Sequence, residues 1–227
     1  MICAIIVAGG KGSRMGAGFN KVFIRLGGKT VIERTVEVFN RCDAVDEIVL
    51  VTSENDIADM QKIIDSDIFP KVKNICKGGE RRQDSVYNGL LKTDADIVLI
   101  HDGARCLITE NEILRIIDDV KTYNAAAIGV TVKDTLKTID DSGNIVSTVD
   151  REKTVQIQTP QAFYADEIIE LHKRAQNENI TVTDDSSLFE HYGKTVHFTS
   201  GSYDNIKLTT PEDIAIGEEI LRRRGDL

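Results

Sequence analysis

Ile5-Ile6-Val7-Ala8-Gly9-Gly10-Lys11-Gly12-Ser13-Arg14-Met15 is the stretch whose reading decides the fold. Its first half continues an apolar, β-branched run from Ile2 with no polar alternation, which predicts a strand buried on both faces of a parallel sheet. The run stops at Gly9, Gly10 and Gly12, where missing Cβ atoms let backbone amides approach a ligand and surround phosphate oxygens. Arg14 adds a planar, multi-donor cation and Lys21 a compact one within reach of the same loop. Strand, glycine loop and two cations together point to a polyphosphate; a tight strand-to-helix turn without a ligand is the plain alternative.

Two other glycine motifs do not fit. The dinucleotide fingerprint needs a third glycine where Met15 stands, and an acidic residue where the second strand instead ends Val51-Thr52-Ser53. No Gly-Lys-Ser/Thr follows, which removes the P-loop.

Outward from this strand, Thr30 caps a helix whose Val31, Thr35, Val36 and Phe39 share one face. Residues 47–53 (EIVLVTS) read as a second strand, followed by a helix with Ile57, Met60, Ile63 and Ile64 at core spacing. Residues 71–76 form a third, and Gly78-Gly79 leads into a helix with a face of Val86, Leu90 and Leu91. Residues 96–101 (DIVLIH) are almost wholly apolar and therefore central, and their carboxyl end delivers Asp102, Ala104 and Arg105. Thr109 and Glu112 make a capping box for a helix through Ile113, Ile116, Ile117 and Val120, and residues 125–132 give a fifth strand. This alternation predicts an α/β fold: an open, mostly parallel, Rossmann-like sheet with helices on both faces.

The pattern changes at Lys133. Residues 133–153 hold two short alternating strands around Asp141-Ser142-Gly143-Asn144, a hairpin arm of the kind that covers a site or pairs with another subunit. Residues 154–159 return to a strand, and Ile168, Ile169, Leu171 and His172 mark a helix in which the histidine is expected to pack. Thr183-Asp184-Asp185 opens a short helix with Leu188 and Phe189, and residues 195–199 form a last strand. Thr210-Pro211-Glu212-Asp213 opens the C-terminal helix, whose Arg222, Arg223 and Arg224 suit the helix dipole. With no repeat and no linker, residues 1–227 read as a single domain carrying the arm at about 133–153.

A formal net charge of -9 disfavours nucleic acid or an anionic membrane as the main partner, while leaving room for an anionic small molecule in a local basic pocket. Apolar stretches are only strand-length and the N-terminus lacks a signal pattern, so a cytoplasmic protein is expected. Cys3, Cys42, Cys76 and Cys106 are scattered without metal-ligand spacing and read as reduced thiols in or near the core.

In open α/β sheets ligands bind beyond the carboxyl ends of the strands, and the polar residues collect there. Gly9 to Arg14 follow the first strand, Asp102 to Arg105 the fourth, and Thr159 a later one. Arg82, Asp84 and Ser85 start a helix, where free amides favour an anion or ribose hydroxyl, although Asp84 or Ser85 serves equally as a cap. Asp102 suits a metal ion or a substrate hydroxyl. Arg151 and Lys207 do not stand out alone.

The segments AGGKGSRMG with Asn20-Lys21, GGERRQDSVYNGL, HDGAR, VKDTLK, TVDR, QTPQAF, TDDSS and DNIKLTTPED occur in one order along nearly the whole chain. In this series the chain resembles the 2-C-methyl-D-erythritol 4-phosphate cytidylyltransferases of the non-mevalonate isoprenoid pathway. The resemblance implies a nucleotidyltransferase sheet, with CTP and methylerythritol phosphate giving the cytidine diphospho-sugar alcohol and pyrophosphate, Mg2+ on the polyphosphate, and a homodimer whose hairpin arm reaches the partner's site. It implies catalytic roles for Arg14, Lys21, Arg151 and Lys207, and CTP binding by Ala8, Gly9, Gly10, Gly12, Gly79, Arg82, Ser85, Asp102 and Gly103. Asp102, Arg105, Thr135, Arg151, Thr159, Thr183 and Lys207 are implied on the sugar-alcohol phosphate, with Asp102 also touching the metal. Cys106 stands where the family usually has proline, and Gly103 where alanine is commoner. The alternatives are a ribitol 5-phosphate or other pentitol-phosphate cytidylyltransferase and, in another class, a catalytically silent nucleotide-binding protein.

Overall fold

The computed structural model describes residues 1–10, 20–65 and 67–227. In chain order the strands are β1 (Ile2–Val7), β2 (Arg25–Leu26), β3 (Lys29–Thr30), β4 (Glu47–Thr52), β5 (Val72–Lys77), β6 (Ile97–Asp102), β7 (Ala125–Thr131), β8 (Lys137–Ile139), β9 (Ile145–Thr148), β10 (Val155–Tyr164) and β11 (His197–Ser200). The helices are α1 (Val31–Arg41), α2 (Ile57–Ile63), α3 (Arg82–Leu90), α4 (Glu110–Tyr123), α5 (Ala165–Glu178), α6 (Ser186–His191) and α7 (Pro211–Arg224).

The expected sheet is present. Among the described residues it has seven strands in the order β11-β7-β10-β6-β1-β4-β5, all parallel to their neighbours except β10, which runs antiparallel to β6 and β7. Its two faces are read directly from β1, because successive side chains point to opposite sides. Ala4 and Ile6 pack with Ile32, Val36 and Phe39 of α1, Met60 of α2 and Ile113, Ile116, Ile117 and Val120 of α4. Cys3 and Ile5 pack on the other face with Val86 and Leu90 of α3, Ile168 and Leu171 of α5, and Leu188 and Phe189 of α6. A smaller cluster joins Leu26, Val31, Cys106, Leu107 and Leu208 to Ile220 and Leu221 of α7.

The caps follow the side-chain chemistry. Thr30 and Thr109 each accept from the backbone N–H of the acid three residues on, while Glu33 and Glu112 accept from the cap backbone N–H. Asp213 accepts from the amides of Thr209 and Thr210 at the start of α7.

Several boundaries differ from the sequence reading. β6 includes Asp102, and β5 and β11 sit slightly later than expected. β10 does not stop at Thr159: its pairing with β7 shifts register between Ile157 and Gln161, so Pro160 falls where the ladder is already interrupted and the strand continues to Tyr164. Leu91 lies outside the core face of α3, since the helix ends at Leu90 and the next side chain turns to solvent. In the hairpin, Asp140 does the turn work by accepting from the amides of Ser142 and Asn144, with Gly143 at φ 83°. Among the described residues, no helix is long and apolar enough to cross a membrane.

Candidate active site

β1 lies between β4 and β6, the point where the chain's crossovers reverse direction, so a crevice opens beyond its carboxyl end. Two backbone bonds extend the sheet there: Ala8 N donates to Val51 O at 2.7 Å and Gly103 N to Val7 O at 2.9 Å. The Gly103 carbonyl is held as well, by the Thr35 hydroxyl of α1 at 2.9 Å. Asn20 donates through Nδ2 to Ala8 O at 2.5 Å and to Asp56 Oδ2 at 2.9 Å. Asn20 is therefore anchored at the carboxyl end of β1, and Lys21 follows directly. Gly12 and Arg14 lie outside the described residues.

The glycines divide by what the fold itself requires. A Cβ on Gly79 would stand 2.3 Å from the Asp84 Cβ, so close packing on α3 demands glycine. A Cβ on Gly10 would meet nothing within 4 Å among the described residues, and Gly10 does not have positive φ. The described residues therefore supply no packing reason for glycine at position 10.

Asp102, at the tip of β6, is the electrostatic centre. Lys207 Nζ stands 2.7 Å from its Oδ2, Arg105 Nε 3.6 Å from the same oxygen, and Arg82 Nε 3.3 Å from Oδ1. Burial pushes this carboxyl upward, but the opposing pull of Arg82 and Lys207 is larger and holds it well below the ordinary carboxylate range. Arg82 also reaches Asp185, with NH1 2.7 Å from Oδ2. Burial alone would lower the Arg82 pKa, yet the two carboxylates raise it. Three cations around two buried carboxylates leave a net positive pocket in an acidic chain, which suits phosphate groups.

A second layer fixes this cluster. The Thr159 hydroxyl accepts from Asp102 N at 3.0 Å and lies 3.1 Å from His101 Nδ1, while His101 Nε2 is 3.1 Å from Arg105 O. Burial pushes His101 down to about 4, so it is neutral at physiological pH and serves this scaffold rather than the charge balance. Asn205, fully buried, donates to Thr159 O at 3.0 Å and accepts at its own carbonyl from Arg105 NH1 at 2.8 Å. The arginines of α7 do more than complement a dipole: Arg223 and Arg224 hold Asp204 at 2.6 and 3.2 Å, and Arg224 donates to Leu107 O. They tie down the segment that carries Asn205 and Lys207.

At the start of α3 the ambiguity over the cap resolves. Asp84 accepts from Arg81 N at 3.2 Å, whereas Ser85 Oγ accepts from Gly79 N at 3.0 Å and donates to Arg81 O at 3.1 Å. Ser85 thus shapes the glycine turn beneath the expected nucleotide.

Of the sequence-predicted residues, Ala8, Gly9, Gly10, Lys21, Gly79, Arg82, Ser85, Asp102, Gly103, Arg105, Thr159 and Lys207 lie at the carboxyl edge of the sheet or on the segments it anchors. Thr183 is exposed, with its hydroxyl 3.5 Å from Ser187 Oγ. Thr135 and Arg151 are on the exposed arm region and make no ion pair or side-chain hydrogen bond to this cluster within the described residues. Sequence reasoning missed Asn20, Asn205 and Asp185. Asp185 left a signal: Asp184 already accepts from Ser187 N at 3.2 Å in the first turn of α6, while Asp185 at the N-cap makes no capping bond and is surplus to the helix.

Asp102 is the carboxylate that would face a divalent ion, but both its oxygens already face cations. Among the described residues, no group of three or more His, Cys, Asp or Glu stands where it could hold a metal. Among the described residues this donor set fits only an ion that would be carried mainly by a ligand's phosphates, with Asp102 as the carboxylate that would face it. Cys106 is buried among apolar neighbours and pushed up to about 12, so its thiol is not a nucleophile.

Comparisons with known proteins identify the family. Residues 2–223 match the model of the IspD family, 2-C-methyl-D-erythritol 4-phosphate cytidylyltransferase. The chain is 44% identical over 224 residues to the protein of that name from Clostridium botulinum (strain Eklund 17B), covering 98% of this chain and 100% of that one. It is 46% identical over 225 residues to its namesake from Clostridium novyi, covering 96% of each. Among solved structures, the 4-diphosphocytidyl-2C-methyl-D-erythritol synthase of Anaerococcus prevotii superimposes with a TM-score of 0.86 at 34% identity, covering 98% of this chain and 96% of that one. Sequence and fold converge on one conclusion: the chain belongs to the 2-C-methyl-D-erythritol 4-phosphate cytidylyltransferase family.

Proposed function

We infer that this enzyme transfers CMP from CTP to 2-C-methyl-D-erythritol 4-phosphate, releasing pyrophosphate. The observation that carries the reading is the pocket around Asp102, where Arg82, Arg105 and Lys207 converge at the switch point of the sheet in a family whose members bear that name. An oxygen of the sugar-alcohol phosphate attacks the α-phosphorus of CTP, a new P–O bond forms, and the bond to the β-phosphate breaks with its electron pair leaving on pyrophosphate. The nucleophile is already an anion, so no general base is required. Catalysis rests on alignment and on neutralising charge at the α-phosphorus and the leaving group.

Arg14 and Lys21 supply that neutralisation, with Gly9, Gly10 and Gly12 admitting the triphosphate to the backbone amides. Ala8, Gly79, Arg82, Ser85 and Gly103 shape the nucleotide side. Arg105, Thr159, Thr183 and Lys207 serve the acceptor phosphate. Asp102 would hold a Mg2+ ion together with the triphosphate, where the ion would supply further neutralisation of phosphate charge.

Thr135 and Arg151 complete the site of a second copy. The arm presents Ile139, Ile145 and Val146, exposed at 66%, 68% and 65%, which supports its burial against a partner in a homodimer. The reaction is placed in the cytoplasm, where CTP is available. With CTP labelled at the α-phosphorus, the label enters the sugar-alcohol product and leaves pyrophosphate unlabelled; label in pyrophosphate contradicts the bond assignment.

A further inference from the structure

We propose that Asp185 is a positioning residue for the nucleotide: it aims the Arg82 guanidinium and thereby couples the start of α3 to the segment at 180–187. The inference rests on the nucleotide role of Arg82 given above.

Arg82 spans two carboxylates that belong to distant parts of the chain. Its Nε faces Asp102 at 3.3 Å and its NH1 faces Asp185 at 2.7 Å, so the plane of the guanidinium is set from two sides. The Asp185 side chain is only 2% exposed and gives the closer of the two contacts. Burial pushes its carboxyl upward, but Arg82 and His172 together oppose this and hold it below the ordinary carboxylate range. On its other side Asp185 meets buried His172, whose Nε2 is 3.7 Å from Oδ1 and whose ring stacks on Tyr87 of α3. Asp185 therefore cannot swing away without opening the α3–α5 packing.

The neighbouring contacts make the same connection. Arg81 NH1 donates to Thr181 Oγ1 at 2.7 Å, Gln83 Nε2 donates to Ile180 O, and Val182 N donates to Gln83 Oε1, both at 3.2 Å. Three consecutive residues at the start of α3 are thus joined to the segment that carries Thr183. Asp184 is not part of this seam, because it turns to Gln161 at 2.7 Å and to the α6 cap. Of the two adjacent aspartates, one builds the helix and the other holds the arginine.

The test is a double-mutant cycle on the intact enzyme, reading KM for CTP, KM for the acceptor and thermal unfolding. Asp185→Asn is expected to raise KM for CTP about tenfold with a smaller change in acceptor KM. Arg82→Ala is expected to raise it at least as much, and the double variant to be no worse than Arg82→Ala alone. Losses that multiply fully in the double variant overturn the proposal, because they assign Asp185 a structural role independent of Arg82. An unchanged KM in Asp185→Asn beside a raised KM in Arg82→Ala overturns it too, while leaving the nucleotide role of Arg82 standing. An unchanged KM in Arg82→Ala removes that role and the proposal together. If Asp185→Asn does not fold, Asp185→Glu keeps the charge and displaces the guanidinium: a raised KM for CTP supports the proposal and an unchanged one overturns it.

Discussion

Lys207 and Asp102 meet at 2.7 Å, joining the segment after β11 to the last residue of β6. The contact makes the active site a product of the whole sheet, because the lysine arrives from beyond one edge strand and the aspartate from near the centre. It also explains how three cations coexist before any phosphate arrives.

Replacing Asp102 with asparagine leaves Arg82, Arg105 and Lys207 facing a neutral amide. Urea unfolding of Asp102→Asn should show a loss of about 2–4 kcal/mol, below the figure for a fully buried pair because the Lys207 side chain is 38% exposed. CTP should recover part of the loss, since its phosphates replace the missing charge. Unaltered stability would contradict the central place given to this carboxylate.

Gly10→Ala and Gly79→Ala should fail differently. The first adds a Cβ where nothing described lies within 4 Å, so its unfolding curve should stay within about 0.5 kcal/mol of the parent while KM for CTP rises. The second drives a Cβ to 2.3 Å from that of Asp84 and should cost about 1–3 kcal/mol by shifting the start of α3. Equal stability losses would remove the distinction between ligand space and packing space.

The contrast marks what was legible in the sequence. Apolar β-branched runs fixed the central strands, glycines and cations marked their carboxyl ends, and Thr30, Thr109 and Thr210 announced their helices, because all of these are local chemistry. The full reach of β10 was hidden by Pro160, whose place in the ladder depends on a register shift with β7. Asp185 and Asn205 were missed because their partners, Arg82 and Arg105, are remote in sequence and brought close only by the topology. The roles expected of Thr135 and Arg151 came from resemblance alone, since among the described residues neither makes an ion pair or side-chain hydrogen bond to the cluster.

The arm yields its own prediction. Under the proposed homodimer, Ile139→Asp combined with Ile145→Asp should give a monomer in sedimentation and lower turnover, because both side chains are exposed in the single chain; a parent protein that sediments as a monomer would contradict the proposed assembly. A mixed dimer of Arg151→Ala and Lys21→Ala subunits should regain one working site. No recovery would place the arm's residues in their own subunit's site.

Stability should fall between pH 7 and pH 5 by about 2 kcal/mol from His101 alone. Burial lowers this imidazole to about 4 from an ordinary 6.5, so the unfolded chain takes up a proton first. The contribution is whole above 6.5 and is lost progressively as the pH falls toward 4. Asp102 and Asp185, held below the usual carboxylate range, lose theirs only at lower pH. Denaturant midpoints at the two pH values should show the slope, and His101→Gln should shrink it; an undiminished slope in that variant would mean that His101 is not its source.

The most direct measurement is pyrophosphate release with CTP and Mg2+, using methylerythritol phosphate and ribitol 5-phosphate as parallel acceptors. The account predicts release with methylerythritol phosphate and at most a trace with ribitol 5-phosphate. Release with ribitol 5-phosphate alone would keep the nucleotide site and overturn the acceptor assignment, and CTP binding without release from either would contradict the catalytic reading itself.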